Sequence, residues 1–218
     1  MKFGGEMKIT DEVLRLDCTK GSYAYAVTGA DGVTLIDTGF PGRGAAILAE
    51  LAAGGVRPGD VRRVLLTHHD VDHIGNLAFL QEKTGCDIYI SAGDYPCVME
   101  NKGREGVKRF MGALMKPKKP RKATRLEGDG IGGFAVIPTP GHTKGHTAYR
   151  FRNVLFIGDL ARNKGGKPGL HPALITWNRE ALLASVAALP AGGAEFFCPA
   201  HGEPFGAAEW EAFAREFR

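Results

Sequence analysis

The stretch Arg63-Val64-Leu65-Leu66-Thr67-His68-His69-Asp70-Val71-Asp72-His73-Ile74-Gly75-Asn76 decides how this 218-residue chain is read. An apolar run suited to a buried strand, Arg63 to Thr67, opens directly onto six residues, five of which carry an imidazole or a carboxylate. Crowding five such groups behind a buried strand is costly unless a cation compensates them. Imidazole and carboxylate together suit zinc, iron or manganese. The local alternative is a helical His-x-x-x-His zinc pair of His69 and His73. The strand-like approach and Gly75 immediately afterwards speak against a helix at that point.

Three more sites extend the pattern. Pro140-Gly141-His142-Thr143-Lys144-Gly145-His146-Thr147 places two histidines in a glycine-rich turn after a strand-like run. Asp159 ends the apolar run Val154 to Ile157, and His201 stands in Pro199-Ala200-His201-Gly202. Each follows a predicted strand, where a rigid scaffold can bring loop residues together. An internal echo links the halves: Val33-Thr34-Leu35-Ile36-Asp37 and Val154-Leu155-Phe156-Ile157-Gly158-Asp159 both end an apolar strand on aspartate. Two halves meeting face to face bring these aspartates to one edge.

Outward from these motifs, strands and helices alternate. Ala24 to Val27 and Val33 to Ile36 flank turn residues and predict a hairpin. Gly44 to Ala53 reads as a helix stopped by Gly54-Gly55, and Ile74 to Lys83 as a helix stopped before Gly85. Further strands are expected at Asp87 to Ser91, Phe134 to Ile137, Ala148 to Phe151, Val154 to Ile157 and Phe196 to Cys198. Helices are expected at Arg179 to Leu189 and Ala207 to Phe217. Residues 92–125 break the rhythm with a helix at Gly106 to Met115 and a lysine- and proline-rich tail, which predicts an inserted lid. The whole reads as one domain, residues 1–218, built as a mixed α/β sandwich with helices outside the sheets.

Composition narrows the function classes. At 44% hydrophobic residues, a core can form without disulfides. No apolar run approaches the roughly 18 residues that span a bilayer, and the start has no apolar signal region. Four scattered cysteines without a Cys-x-x-Cys pair suit reduced thiols in the cytoplasm. The net charge of +4 is local: residues 94–127 hold ten Lys/Arg against four Asp/Glu. That concentration places the basic excess in one segment and not along a nucleic-acid-binding face; it reads either as a solvated lid surface or as a patch that attracts a carboxylate- or phosphate-bearing substrate.

The ordered set Thr67-His68-His69-Asp70-Val71-Asp72-His73-Ile74-Gly75, Gly141-His142-Thr143-Lys144-Gly145-His146, Gly158-Asp159 and Pro199-Ala200-His201-Gly202, with Leu35-Ile36-Asp37-Thr38-Gly39 before it, resembles the metallo-β-lactamase-fold superfamily over residues 20–205. The resemblance implies a four-layer αββα sandwich and two divalent metal ions, zinc first, with manganese or iron tolerated. His68, Asp70 and His142 would take one ion, and Asp72, His73 and His201 the other, with Asp159 bridging. Asp37 would support the loop by hydrogen bonds without touching metal, His146 would line the pocket or back a ligand, and His69 would point away. The chain departs from the usual His-x-His-x-Asp-His pattern at Asp70. Three carboxylates and a bridging hydroxide then balance two divalent ions, which favours harder metals beside zinc.

The implied chemistry is hydrolysis of a small ester, lactone or thioester by that hydroxide, with Asp72 as the catalytic carboxylate. A secreted β-lactamase is disfavoured because Asp159 stands where those enzymes use cysteine. A glutathione thioesterase of the glyoxalase II type is disfavoured because only 17 residues follow His201. Phosphodiesterase or nuclease chemistry, a di-iron oxidoreductase and a non-catalytic metal-binding module stand as alternatives. The resemblance is also compatible with a homodimer.

Overall fold

A computed structural model describes residues 8–218. The chain runs β1 (Val13–Leu16), β2 (Ala24–Gly29), β3 (Gly32–Ile36), α1 (Gly44–Ala53), β4 (Val61–Leu65), α2 (Leu77–Thr84), β5 (Asp87–Ile90), α3 (Tyr95–Met99), α4 (Gly106–Met115) and β6 (Thr124–Arg125). It continues through β7 (Gly130–Ile131), β8 (Phe134–Pro138), β9 (Thr147–Phe151), β10 (Val154–Gly158), β11 (Arg162–Lys164), β12 (Lys167–Gly169), α5 (Arg179–Ala188), β13 (Phe196–Pro199), β14 (Phe205–Gly206) and α6 (Ala207–Arg215). The first half forms one sheet in the order β1-β2-β3-β4-β5-β6, and the second half another in the order β14-β13-β10-β9-β8-β7.

Strand periodicity explains the layering. On β2, Ala24 and Ala26 pack outward with Ile47, Leu51, Leu77 and Leu80 of α1 and α2. Tyr25 and Val27 face the other way, into a core shared with Tyr149 and Phe156 of the second sheet. On β10, Val154 and Phe156 join that central core, while Leu155 and Ile157 pack outward with Leu182, Val186 and Trp210 of α5 and α6. Both strands are buried on both faces, which is what a sheet inside a four-layer stack requires. The αββα arrangement expected from the sequence is therefore the one observed.

Three boundaries differ from expectation. β4 stops at Leu65, short of Thr67, because the Thr67 N–H goes to the Asp37 carboxylate (2.8 Å) instead of a neighbouring strand. The helix expected from Ile74 begins only at Leu77. Asn76 holds the preceding turn off a helical path, donating to the carbonyls of Thr38 and Phe40 and accepting from the N–H groups of Arg43 and Gly44. A Cβ on Gly75 would lie 2.3 Å from Pro41 N, so only glycine lets these loops meet. Within residues 92–125 the sheet resumes at Thr124, where β6 pairs in parallel with β5. The expected helix Gly106–Met115 is α4, and no residue of it is buried.

The two central strands, β3 and β10, each have a parallel neighbour, β4 and β13. The chain therefore leaves all four at the same kind of end, and their exit loops carry Asp37, the 66–73 segment, Asp159 and His201.

Candidate metal centre

The residues singled out by sequence converge at that edge. His68, Asp70, His142 and Asp159 form one group with ligand-capable atoms mutually within 4.8 Å, and Asp72, His73 and His201 form another. In the first, His142 Nε2 lies 3.0 Å from Asp70 Oδ2 and 3.3 Å from Asp159 Oδ2, and His68 Nε2 lies 3.4 Å and 3.9 Å from the same oxygens. In the second, His201 Nε2 is 3.3 Å from both Asp72 Oδ2 and Asp159 Oδ1. His73 Nε2 is 3.7 Å and 3.5 Å from those two oxygens. Asp159 thus turns Oδ2 to one group and Oδ1 to the other. Ligands about 2.1 Å from a common ion are separated by about 3.0–3.5 Å along the edges of an octahedron or tetrahedron. The observed separations fall in or just beyond that range.

Hydrogen bonds fix which ring nitrogen each histidine presents. His73 Nδ1 donates to Asp37 Oδ2 (2.8 Å), His68 Nδ1 to Thr67 Oγ1 (3.0 Å) and His201 Nδ1 to the Gly21 carbonyl (2.7 Å). Each Nε2 faces the centre, where it would be the nitrogen offered to a bound ion, the arrangement that orients metal-binding imidazoles. Asp37 also accepts from Thr67 N and Thr67 Oγ1, so it supports the loop and stays outside both groups. His146 likewise has both nitrogens engaged, with Thr139 Oγ1 at 2.8 Å and the Asp159 N–H at 3.1 Å. Burial pushes its imidazole down to about 3, which keeps it neutral.

Charge is in demand here. Burial alone would raise the pKa of Asp70, Asp72 and Asp159. Their cationic and histidine neighbours outweigh it, and all three carboxyls are held below their ordinary range. Meanwhile His68 Nε2, Asp70 Oδ1 and Asp159 Oδ1 are buried without a hydrogen-bond partner. Orphaned acceptors of this kind suit a cation that they would coordinate. Lys108, reaching in from α4, places its ammonium against Asp70 Oδ2 and 3.0 Å from His142 Nε2. Its flexible stem allows it to make way, and the donor set fits two divalent ions.

His69 belongs to neither group. Its Nδ1 lies 3.0 Å from Asp94, and this pairing outweighs burial and raises its pKa to about 9. Asp94, which the sequence reading did not single out, is buried and accepts from His69 N, Thr143 Oγ1 and Gly145 N, tying the first histidine loop to the second. Its only sequence signal is its place just past a predicted strand. His171 was missed as well. It is buried, with Nδ1 3.8 Å from Asp159 Oδ2 and its ring between His142 and His201. Burial lowers its pKa to about 4. The available signal was arithmetic: six of the seven histidines lie in recognisable motifs, and the seventh joins them.

Comparisons with known proteins agree with this geometry. The family profile of the metallo-beta-lactamase superfamily matches residues 19–201. The hydroxyacylglutathione hydrolase of Dechloromonas aromatica is 28% identical over 196 residues, covering 86% of this chain and 60% of that protein. That of Methylococcus capsulatus is 31% identical over 152 residues, covering 68% and 51%. The chain therefore spans between half and three fifths of the length of these two relatives. Among solved structures, TTHA1623 in a di-iron-bound form superposes with a TM-score of 0.67 at 26% identity, covering 88% of this chain and 92% of that one. The BLEG-1 B3 metallo-beta-lactamase gives a TM-score of 0.74 at 20% identity, covering 93% and 99%, a likeness of fold alone. The ordered motifs, the four-layer sandwich and a profile match spanning most of the chain have one reading: this protein belongs to the metallo-β-lactamase superfamily.

Proposed function

We propose that this protein is a dinuclear metal-dependent hydrolase acting on a small ester, thioester or lactone. The observation that carries the reading is the division of Asp159 between the two ligand groups, Oδ2 to one and Oδ1 to the other. His68, Asp70 and His142 would hold one ion and Asp72, His73 and His201 the second. When bound, such ions supply a Lewis acid for the scissile carbonyl and bring the pKa of water toward neutrality. The relatives named hydroxyacylglutathione hydrolase favour a thioester among the three substrate classes.

The chain's own groups have distinct tasks. Asp72 turns Oδ2 toward His201 and His73, which leaves Oδ1 to take a proton from attacking water. Lys108 is the residue of the basic segment that reaches the ligand groups, with a side chain only 13% exposed. Its ammonium is placed to hold a substrate oxygen or carboxylate. Zinc is the first candidate metal, and Asp70 in place of the usual histidine admits iron or manganese. The di-iron form of TTHA1623 supports that wider range. Four unpaired cysteines support a reducing compartment.

The test is a panel of esters, thioesters, lactones and phosphodiesters assayed with zinc, manganese or iron at varied ionic strength. Turnover of the carbonyl substrates that disappears in Asp72→Ala is expected, with catalytic efficiency for anionic substrates falling as salt rises. Turnover confined to phosphodiesters, or retained in Asp72→Ala, overturns the reading.

A further inference from the structure

A cleft of about 520 Å3 opens between α4 and residues 172–177 and runs inward to Lys108 and His142. Its outer wall carries Leu174, 78% exposed, and Trp177, 49% exposed, with Ile175 between them. Pro96 and Cys97 of α3 also line the cleft, together with the polar groups of His69, Asp94, Glu105, Thr143 and Lys144. Among the described residues the large exposed hydrophobics are four, Phe110, Leu114, Leu174 and Trp177, and two of these border this one cleft. Apolar side chains shown to water beside a concave polar site commonly mark where a ligand's apolar part lies.

The exposed wall is held in place by the centre itself. Trp177 N donates to the His142 carbonyl (3.0 Å) and Asn178 N to the Gly141 carbonyl (2.9 Å). At the other end of the segment, His171 is buried beside Asp159. The segment is thus pinned on both sides to loops carrying proposed ligands, yet turns Leu174 outward between them. A merely loose loop would not present its largest apolar groups from a backbone fixed at both ends.

Resting on the hydrolase reading above, we propose that this cleft is a specificity subsite for an unbranched hydrocarbon chain carried by the substrate. The scissile group lies at the inner end, near Lys108 and His142, and the chain runs outward along Leu174, Ile175 and Trp177. Substrates of the acetyl or formyl type leave the wall uncovered. Chains of several methylenes cover it, each buried methylene adding about fourfold to binding.

Two measurements decide the matter. In the first, the metal-loaded protein is assayed on 4-nitrophenyl esters and thioesters of increasing acyl length, and on acetate esters of increasing alkyl length. In one series kcat/KM is expected to climb about fourfold per methylene. That slope flattens in Leu174→Ser and in Trp177→Ala. Leu114→Ser, which removes an exposed apolar group outside the cleft, keeps the slope. In the second, decyl methyl thioether, which cannot be hydrolysed, is titrated while tryptophan emission is followed. Trp177 is half-exposed and Trp210 fully buried, so the expected change comes from Trp177 and is absent in Trp177→Ala. Turnover with flat slopes in both series and unchanged emission overturns the subsite and leaves the hydrolase reading standing. A change in emission with no turnover of any substrate keeps the subsite and removes the hydrolase reading. Neither turnover nor a change in emission removes both.

Discussion

Asp37 and Asp159 end the central strands of the two halves, β3 and β10, and meet the same imidazole from opposite sides. Asp37 Oδ2 takes His73 Nδ1 at 2.8 Å, and Asp159 Oδ1 lies 3.5 Å from His73 Nε2. Their surroundings differ. Asp37 accepts from three buried donors, Thr67 N, Thr67 Oγ1 and His73 Nδ1. Asp159 keeps a buried Oδ1 without a hydrogen-bond partner, among histidines spaced as ligands are. The backbone differs in the same place: Asp37 itself is left-handed at φ 59°, whereas on the other strand Gly158, one residue before Asp159, turns at φ 48°. One strand end spends its carboxylate on hydrogen bonds within the protein, and the other leaves a carboxylate oxygen unpaired among ligand-capable histidines. Position at a strand end therefore sets where an aspartate points, and the donors around it decide what it does.

The largest expected effect comes from breaking the half proposed to face the ions. Asp159→Ala removes the one carboxylate shared by both groups. Metal content measured by elemental analysis should fall from two ions per chain to one or none, and turnover should collapse with it. Loss of a supporting residue typically costs about 10–100-fold in metal affinity, and the loss here should exceed that range. Two ions retained at wild-type affinity would remove Asp159 from the bridging role and the proposed centre with it.

Asp37→Ala attacks the other strand end and should separate the two roles. Metal affinity should fall by about 10–100-fold, because His73 loses the partner that orients it. Stability should fall even with a chelator present, since each buried donor left unpaired costs about 1–3 kcal/mol. A total of about 3 kcal/mol lowers Tm by roughly 6–12 °C in a chain of this size. With chelator, Asp159→Ala should lower Tm less. Equal losses in the two variants would mean that the strand ends do not differ in the way described.

The contrast also shows how much could be read from sequence. The proposed ligands stood out because each lies in a short contiguous motif directly after an apolar strand, as in Thr67-His68 or Gly158-Asp159. Their division into two groups came from the family resemblance, since spacing along the chain does not say which loops face each other. Asp94 was hidden because it acts on backbone N–H groups of loops 25 and 51 residues distant. His171 stands alone between Leu170 and Pro172, with no local pattern to mark it. Strands such as β7, β11 and β14, two or three residues long, are too short for periodicity to register. The helix start misread at Ile74 fell to a tertiary effect, Asn76 bonding to the loop after β3.

The smallest change worth making is at Thr67, where the two strand ends touch. Its hydroxyl donates to Asp37 Oδ2 (2.6 Å) and accepts from His68 Nδ1 (3.0 Å), so one oxygen sets the orientation of a proposed ligand on each ion. A Cβ on Gly158 would sit 2.7 Å from that oxygen, which shows how closely β10 is packed against it. Thr67→Val keeps the volume and removes the hydroxyl. The Asp37 carboxylate then loses one of three donors, and His68 is free to present the wrong nitrogen. A cost of about 1–2 kcal/mol in stability is expected, with metal affinity weakened by up to about tenfold. Thr67→Ser restores the oxygen without the methyl and should recover the metal affinity while leaving a small packing defect. If valine binds metal as tightly as threonine while serine weakens it, Thr67 acts through its shape alone, and the hydrogen-bonded link between Asp37 and His68 does not contribute.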